Sequence, residues 1–169
     1  RREQGEDVSW LAALDVIRSP NFGAILVLGL YLAAIFLAWI LVAYLIWFLT
    51  LGPVQPDSVS AFLNEVLTTG AGWAMIVIGV VAGFCFALAV LATSVVSFPL
   101  LLDHNVGVPT AVYTSYKVFR ENPRVIISWG FLISVLLLVG SVPALVGLII
   151  VLPVLGHATW HFYRRAIKF

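Results

Sequence analysis

The sequence predicts an all-α, polytopic transmembrane helix bundle, and three observations carry that expectation. Of the 169 residues, 62% are hydrophobic and only 10% are charged, where a soluble domain carries roughly 25% charged residues. The mean hydropathy is +1.09, which leaves no realistic soluble reading. The charges also clump: no Asp, Glu, Lys or Arg occurs in 19–56, 66–102 or 125–163, stretches of 37 to 39 residues. Each exceeds the ~20 apolar residues that cross a bilayer.

The first stretch holds one span, 22–50, with no breaker after its early glycines. Two spans and a turn do not fit in it, and a helix of this length tilts or projects beyond the hydrocarbon. Next, "DSVSAFLNEVLTTG" suggests a small helix at the outer surface, with Phe62, Leu63, Val66 and Leu67 toward lipid. The second span is expected at 71–97, ending before Pro99. The third stretch is too long for one crossing, since its 39 residues would measure roughly 58 Å as a helix. The turn signal "GSVP" at 140–143 divides it into a hairpin of two spans, about 125–140 and 143–163.

Basic residues test this count. With four spans, all nine Lys and Arg (Arg1, Arg2, Arg18, Lys117, Arg120, Arg124, Arg164, Arg165 and Lys168) fall on one side. The 51–70 loop opposite carries Asp57 and Glu65 but no cation. Such segregation is the positive-inside pattern, so both visible ends are expected in the cytoplasm, with the chain in a bacterial inner membrane. Tryptophans agree: Trp10, Trp129 and Trp160 fall near the inner boundary, Trp47 and Trp73 near the outer one, and Trp39 lies deep. These five boundary rings are candidate interfacial anchors.

The spans read as two parallel repeats, 8–97 and 108–165, within one membrane domain, 1–169. Each opens with an amphipathic interfacial helix followed by Arg and a Pro-containing turn. In the first, Ser9 caps a stripe of Trp10, Leu14 and Ile17; in the second, Pro109 opens a stripe of Val112, Tyr116 and Phe119. These helices read as surface floats that set the angle of the following span, the alternative being a docking surface. Gly79 and Gly83, with Ala87 continuing the ridge, form a G-x-x-x-G stripe for helix packing, inside the monomer or against another subunit. Gly130 and Ser134 offer a lesser groove, and Thr93, Ser94, Ser97 and Ser128 are expected to bond preceding carbonyls.

Chemistry is sparse. No carboxylate, Lys or Arg lies in a span core, which argues against proton relays, ion-coupled transport and voltage sensing. The single Cys85 excludes an intramolecular disulfide, and no basic, aromatic-interleaved patch suggests nucleic acid. The ionisable candidates are His157 and His161, four apart on one helical face, with His104 and Asp103 on the same cytoplasmic side. Converging, they would suit a transition metal. One haem cannot lie between His157 and His161, because two ligands on one helical face cannot take opposite axial positions. Burial of His157 with a hydrogen bond to another span, and an interfacial role for His161, are the structural alternatives.

The segments "GEDVSWLAAL" (5–14), "SVVSFPLLLD" (94–103), "NP" (122–123) and "IVLPVLGHATWHFYRR" (150–165) resemble a family of uncharacterised bacterial integral membrane proteins. It is a domain of unknown function whose members are often labelled cytochrome c oxidase subunit I-like. The resemblance implies further spans before the "GE..SW" segment, so the chain, which begins at Arg1 without Met, is expected to be the later part of a longer protein of six spans. It also implies Arg after the "LLLD" Asp, where this chain has His104. Three histidines at one surface cannot supply two haems and copper, so the label suggests association with respiratory complexes at most.

The function expected from these observations is non-catalytic: an accessory, assembly or stabilising subunit of a larger bacterial membrane complex, with respiratory complexes the first class to search. Its partners would be the lipid bilayer and other membrane subunits, with no cofactor of its own. Two other readings remain open. One is a metal- or haem-binding membrane protein using His157 and His104. The other is a small transporter or channel for an uncharged solute or lipid.

Overall fold

The computed structural model describes residues 21–53 and 56–166. Among them are seven helices and no strand: α1 (Phe22–Thr50), α2 (Val59–Thr68), α3 (Gly70–Ser94), α4 (Ser97–Asp103), α5 (Val108–Glu121), α6 (Pro123–Ser141) and α7 (Leu148–Ala166). The protein is an all-α membrane helix bundle. Three stretches are long and apolar enough to cross a membrane: Phe22–Thr50, Gly70–Asp103 and Pro123–Ser141. The helix expected at 143–163 forms at Leu148–Ala166 instead, with 19 residues or about 28 Å of rise. It is less apolar than the other three because its second half carries His157, Thr159, His161, Arg164 and Arg165. The first amphipathic helix, with Ser9, Trp10, Leu14 and Ile17, lies outside the described residues.

Among the described residues the chain divides into two compact units, 21–30 with 91–166, and 31–53 with 56–90. The first has a true core: Leu28, Val95, Val96, Leu100, Leu101, Ala111, Val118, Ile126 and Tyr163 are buried together. It is built around a break in the second apolar stretch. Helix α3 stops at Ser94 and α4 restarts at Ser97. The freed Val96 N–H donates to Ser115 Oγ of α5 at 3.2 Å, and Ser97 Oγ donates to Thr93 O. Pro99, expected beyond the helix end, is the third residue of α4, where a backbone N–H has no intrahelical partner and proline costs little.

Helix α5 begins at a Gly107 cap with Pro109 in its first turn, as the sequence suggests. Its buried stripe is rotated from the expected one. Ala111, Ser115 and Val118 are buried, Val112 and Phe119 are partly buried, and Tyr116 points outward at 45% exposure. Small Ala111 and Ser115 let α4 approach closely, which a tyrosine on that face would prevent.

The α6–α7 turn occupies 142–147, later than the expected 140–143. Gly140 at the end of α6 and Gly147, the last residue of the turn, close the hairpin. A Cβ on Gly147 would stand 2.7 Å from Gly140 O and 2.9 Å from Gly140 Cα. One on Gly140 would meet Leu148 and Val151 side chains at 3.0 Å. The turn itself holds Ala144 at φ 47° and Leu145 at φ 69°, a left-handed conformation that costs a residue with a Cβ about 1–2 kcal/mol. On the other face of α6, Gly130 lies under the Leu91 side chain, so one half of the Gly130–Ser134 groove is used within the chain. Ser128 and Ser134 hydroxyls return to the carbonyls of Arg124 and Gly130.

The second unit is more open. Ser58 caps α2, its Oγ accepting from Ala61 N–H at 3.1 Å. At the α2–α3 corner Thr69 Oγ1 donates to Glu65 O at 2.7 Å and accepts from Gly72 N–H at 3.0 Å. Trp73 Nε1 donates back to Leu67 O at 3.1 Å. Val66 does not face lipid as expected. It is buried at this corner, where a Cβ on Gly72 would collide with its backbone.

Beyond the corner, α1 and α3 bury little in one another. A Cβ on Gly83 would come only within 3.8 Å of Trp39 Nε1, one on Gly79 would meet nothing within 4 Å, and Ala87 is exposed. A groove of about 370 Å³ runs there, lined by Trp39, Ala43, Ile46, Met75, Gly79 and Val80 among others.

Candidate functional site

The polar side chains of the first unit gather where α4 ends. Asp103, the last residue of α4, is placed against the macrodipole, since a carboxylate is disfavoured at a helix C-terminus. Donors from α7 compensate. Tyr163 Oη donates to Asp103 Oδ2 at 3.0 Å, and Arg164 Nη1 stands 3.8 Å from the same oxygen. His104 Nε2 lies 3.3 Å from it. Tyr163 is fully buried, so its hydroxyl needs this acceptor.

The carbonyls at the end of α4 are answered from the start of α1. Asn21 Nδ2 donates to Leu101 O at 2.9 Å and to His104 O at 3.3 Å. One polar junction thus ties together residues 21, 101–104 and 163–164. Above it, Trp129 stacks on Phe162 with ring centroids 5.7 Å apart and 6° between planes. Trp160 packs on Tyr163 at 5.5 Å. The Trp129 Nε1 hydrogen is buried with no acceptor among the described residues.

The four metal candidates are therefore separated. Asp103 and His104 enter the junction, while His157 and His161 are exposed on α7. The helix explains this. With Tyr163 turned to the core, residue 161 lies about 200° and residue 157 about 240° around the axis, both off the buried face. His157 is thus not buried against another helix of the described chain. Among the described residues, no group of three or more His, Cys, Asp or Glu side chains is arranged to hold a metal ion.

What the junction can do chemically is hold a carboxylate in a fixed network of donors, as a latch does. Tyr163, Asn21 and Ser115 are the residues that sequence reasoning missed. Tyr163 alone left a signal, as an aromatic beside Arg164 at the polar end of the last span. Of the tryptophans proposed as anchors, Trp129 and Trp160 pack in the first unit, Trp73 bonds the α2 carbonyl, and Trp47 packs beside Tyr44 at 5.6 Å. Trp10 lies outside the described residues.

No curated protein and no solved structure matches the chain. A family match does exist and covers residues 1–103, which takes in α1 to α4 and ends on Asp103, the hub of the junction. On that match the chain belongs to the family described as predicted integral membrane protein (DUF2189).

Proposed function

We propose that this chain is a non-catalytic accessory, assembly or stabilising subunit of a larger membrane complex, without a resident haem or metal. The observation that carries the reading is the groove of the second unit. Gly79 lies along it, with nothing near its Cβ position. Small residues on membrane helices serve close backbone approach, and here the approaching helix is not supplied by α1. Within the apolar spans there are no charged groups of the kind transport and proton transfer use. The distribution of Lys and Arg supports a bacterial inner-membrane location with α5 and the end of α7 in the cytoplasm, and α7 as a fourth span. Respiratory complexes are the first class to search.

The test is purification of the full-length protein from its native membrane in mild detergent, with mass spectrometry and an absorbance spectrum on one sample. Stoichiometric co-purification with a larger complex, and no chromophore belonging to this subunit, is expected. A lone protein carrying stoichiometric haem or metal would overturn the reading and move His157 and His104 to its centre.

A further inference from the structure

Helix α5 joins the apolar stretch that ends at Asp103 to the one that begins at Pro123. Its 14 residues rise only about 21 Å, so it lies at a membrane–water boundary. One face is buried through Ala111, Ser115 and Val118. Another face carries Tyr113, Tyr116, Lys117 and Arg120, all exposed. Their spacing of i, i+3, i+4 and i+7 makes them one continuous stripe.

The stripe borders a groove of about 350 Å³, completed by Glu121. That volume is at the low end of ligand clefts, ~300–1,000 Å³: enough for a polar headgroup and too little for a whole lipid. The residue types match such an occupant. Tyrosine rings offer an apolar body and a hydroxyl at the boundary. Lysine and arginine stems lie along apolar surface while their charges reach water, and the guanidinium fork fits phosphate oxygens. Glu121 opposes an anion, but it sits 3.9 Å from Lys117 with both side chains more than half exposed, a pairing worth little in water. Arg120 makes no ion pair among the described residues.

We propose that this stripe is a binding site for the phosphodiester headgroup of an anionic phospholipid, with Arg120 and Lys117 on the phosphate and Tyr113 and Tyr116 flanking it. The site is independent of whether the chain belongs to a larger complex.

Native mass spectrometry of the full-length protein in mild detergent, titrated with phosphatidylglycerol or phosphatidylcholine of matched chains, tests it. The wild type should retain phosphatidylglycerol in preference. Arg120→Gln should weaken that retention about fivefold, and Lys117→Gln similarly. Arg165→Gln, which removes the same charge from an exposed position at the end of α7, should leave it within about twofold. Glu121→Gln should strengthen it, a gain that damage to the fold cannot mimic. Equal retention of the two lipids, equal losses from Arg120→Gln and Arg165→Gln, or weaker binding by Glu121→Gln would each overturn the proposal and leave the stripe to another kind of partner.

Discussion

Both compact units are made of apolar helices studded with small residues, yet they spend those residues differently. In the first unit, Gly140 and Gly147 touch across the α6–α7 hairpin and Gly130 lies beneath Leu91. In the second, Gly72 is filled by the Val66 backbone at the α2–α3 corner, while Gly79 has an open surface. Close approach has a use inside the chain wherever a turn or corner forces two helices together. Along the α1–α3 groove, Gly79 meets no neighbour among the described residues of the second unit. A small-residue stripe therefore reports that a helix can come close, and only the fold tells whether one already has.

The sharpest way to break this comparison is to add one methyl group to each kind of glycine. Gly147→Ala drives a Cβ into the Gly140 backbone and should destabilise the protein by roughly 1–3 kcal/mol. Gly79→Ala should leave the isolated chain within about 0.5 kcal/mol of the wild type. Thermal unfolding in mild detergent compares them directly, and equal effects would erase the distinction between the units.

A smaller effect is expected at the junction. Tyr163→Phe removes the donor to Asp103 Oδ2 and should cost about 1.5 kcal/mol, the range of a bond to a charged acceptor. Asp103→Asn keeps an acceptor and should cost less. Denaturant titration of both variants checks the order, and a larger loss for Asp103→Asn would mean that the ion pair with Arg164 outweighs the hydrogen bond.

Two substitutions should stabilise the first unit. Trp129→Phe keeps a ring to stack on Phe162 and removes an indole N–H buried without an acceptor among the described residues. A gain of up to about 1 kcal/mol is expected. Leu145→Gly relieves a residue at φ 69° whose side chain is largely exposed, for about 0.5 kcal/mol after the entropy of the added glycine. Melting temperatures of the two variants should both rise, the tryptophan variant more.

The membrane class and the positions of α1, α3 and α6 were legible because hydropathy and charge segregation act over twenty or more residues. Pro109 and the back-bonds of Ser97 and Ser128 were legible because helix-start and hydroxyl chemistry are local. The errors have one physical source, which is the identity of the neighbour. Val66 looks lipid-facing until Gly72 brings α3 against it. The α5 stripe shifts because α4 requires the small residues Ala111 and Ser115. The α6–α7 turn moves to 142–147 because Gly140 and Gly147 must meet. At the junction, Asp103 was visible as an ionisable residue at a helix end, but its donor Tyr163 is sixty positions away, and no local pattern links the two. His157 and His161 show the reverse: their spacing was suggestive, and the core-facing Tyr163 turns both of them outward.

If the chain is the accessory subunit proposed above, the groove of the second unit receives a helix of another subunit. A photo-crosslinking residue placed at Val80, which lines the groove, and separately at Val77, which is exposed on α3 outside it, should be activated in native membranes. Val80 should give one discrete protein adduct of defined mass, present at high yield, and Val77 should give lipid adducts alone. Lipid adducts alone from both positions would contradict the claim and make the groove an ordinary lipid-facing surface.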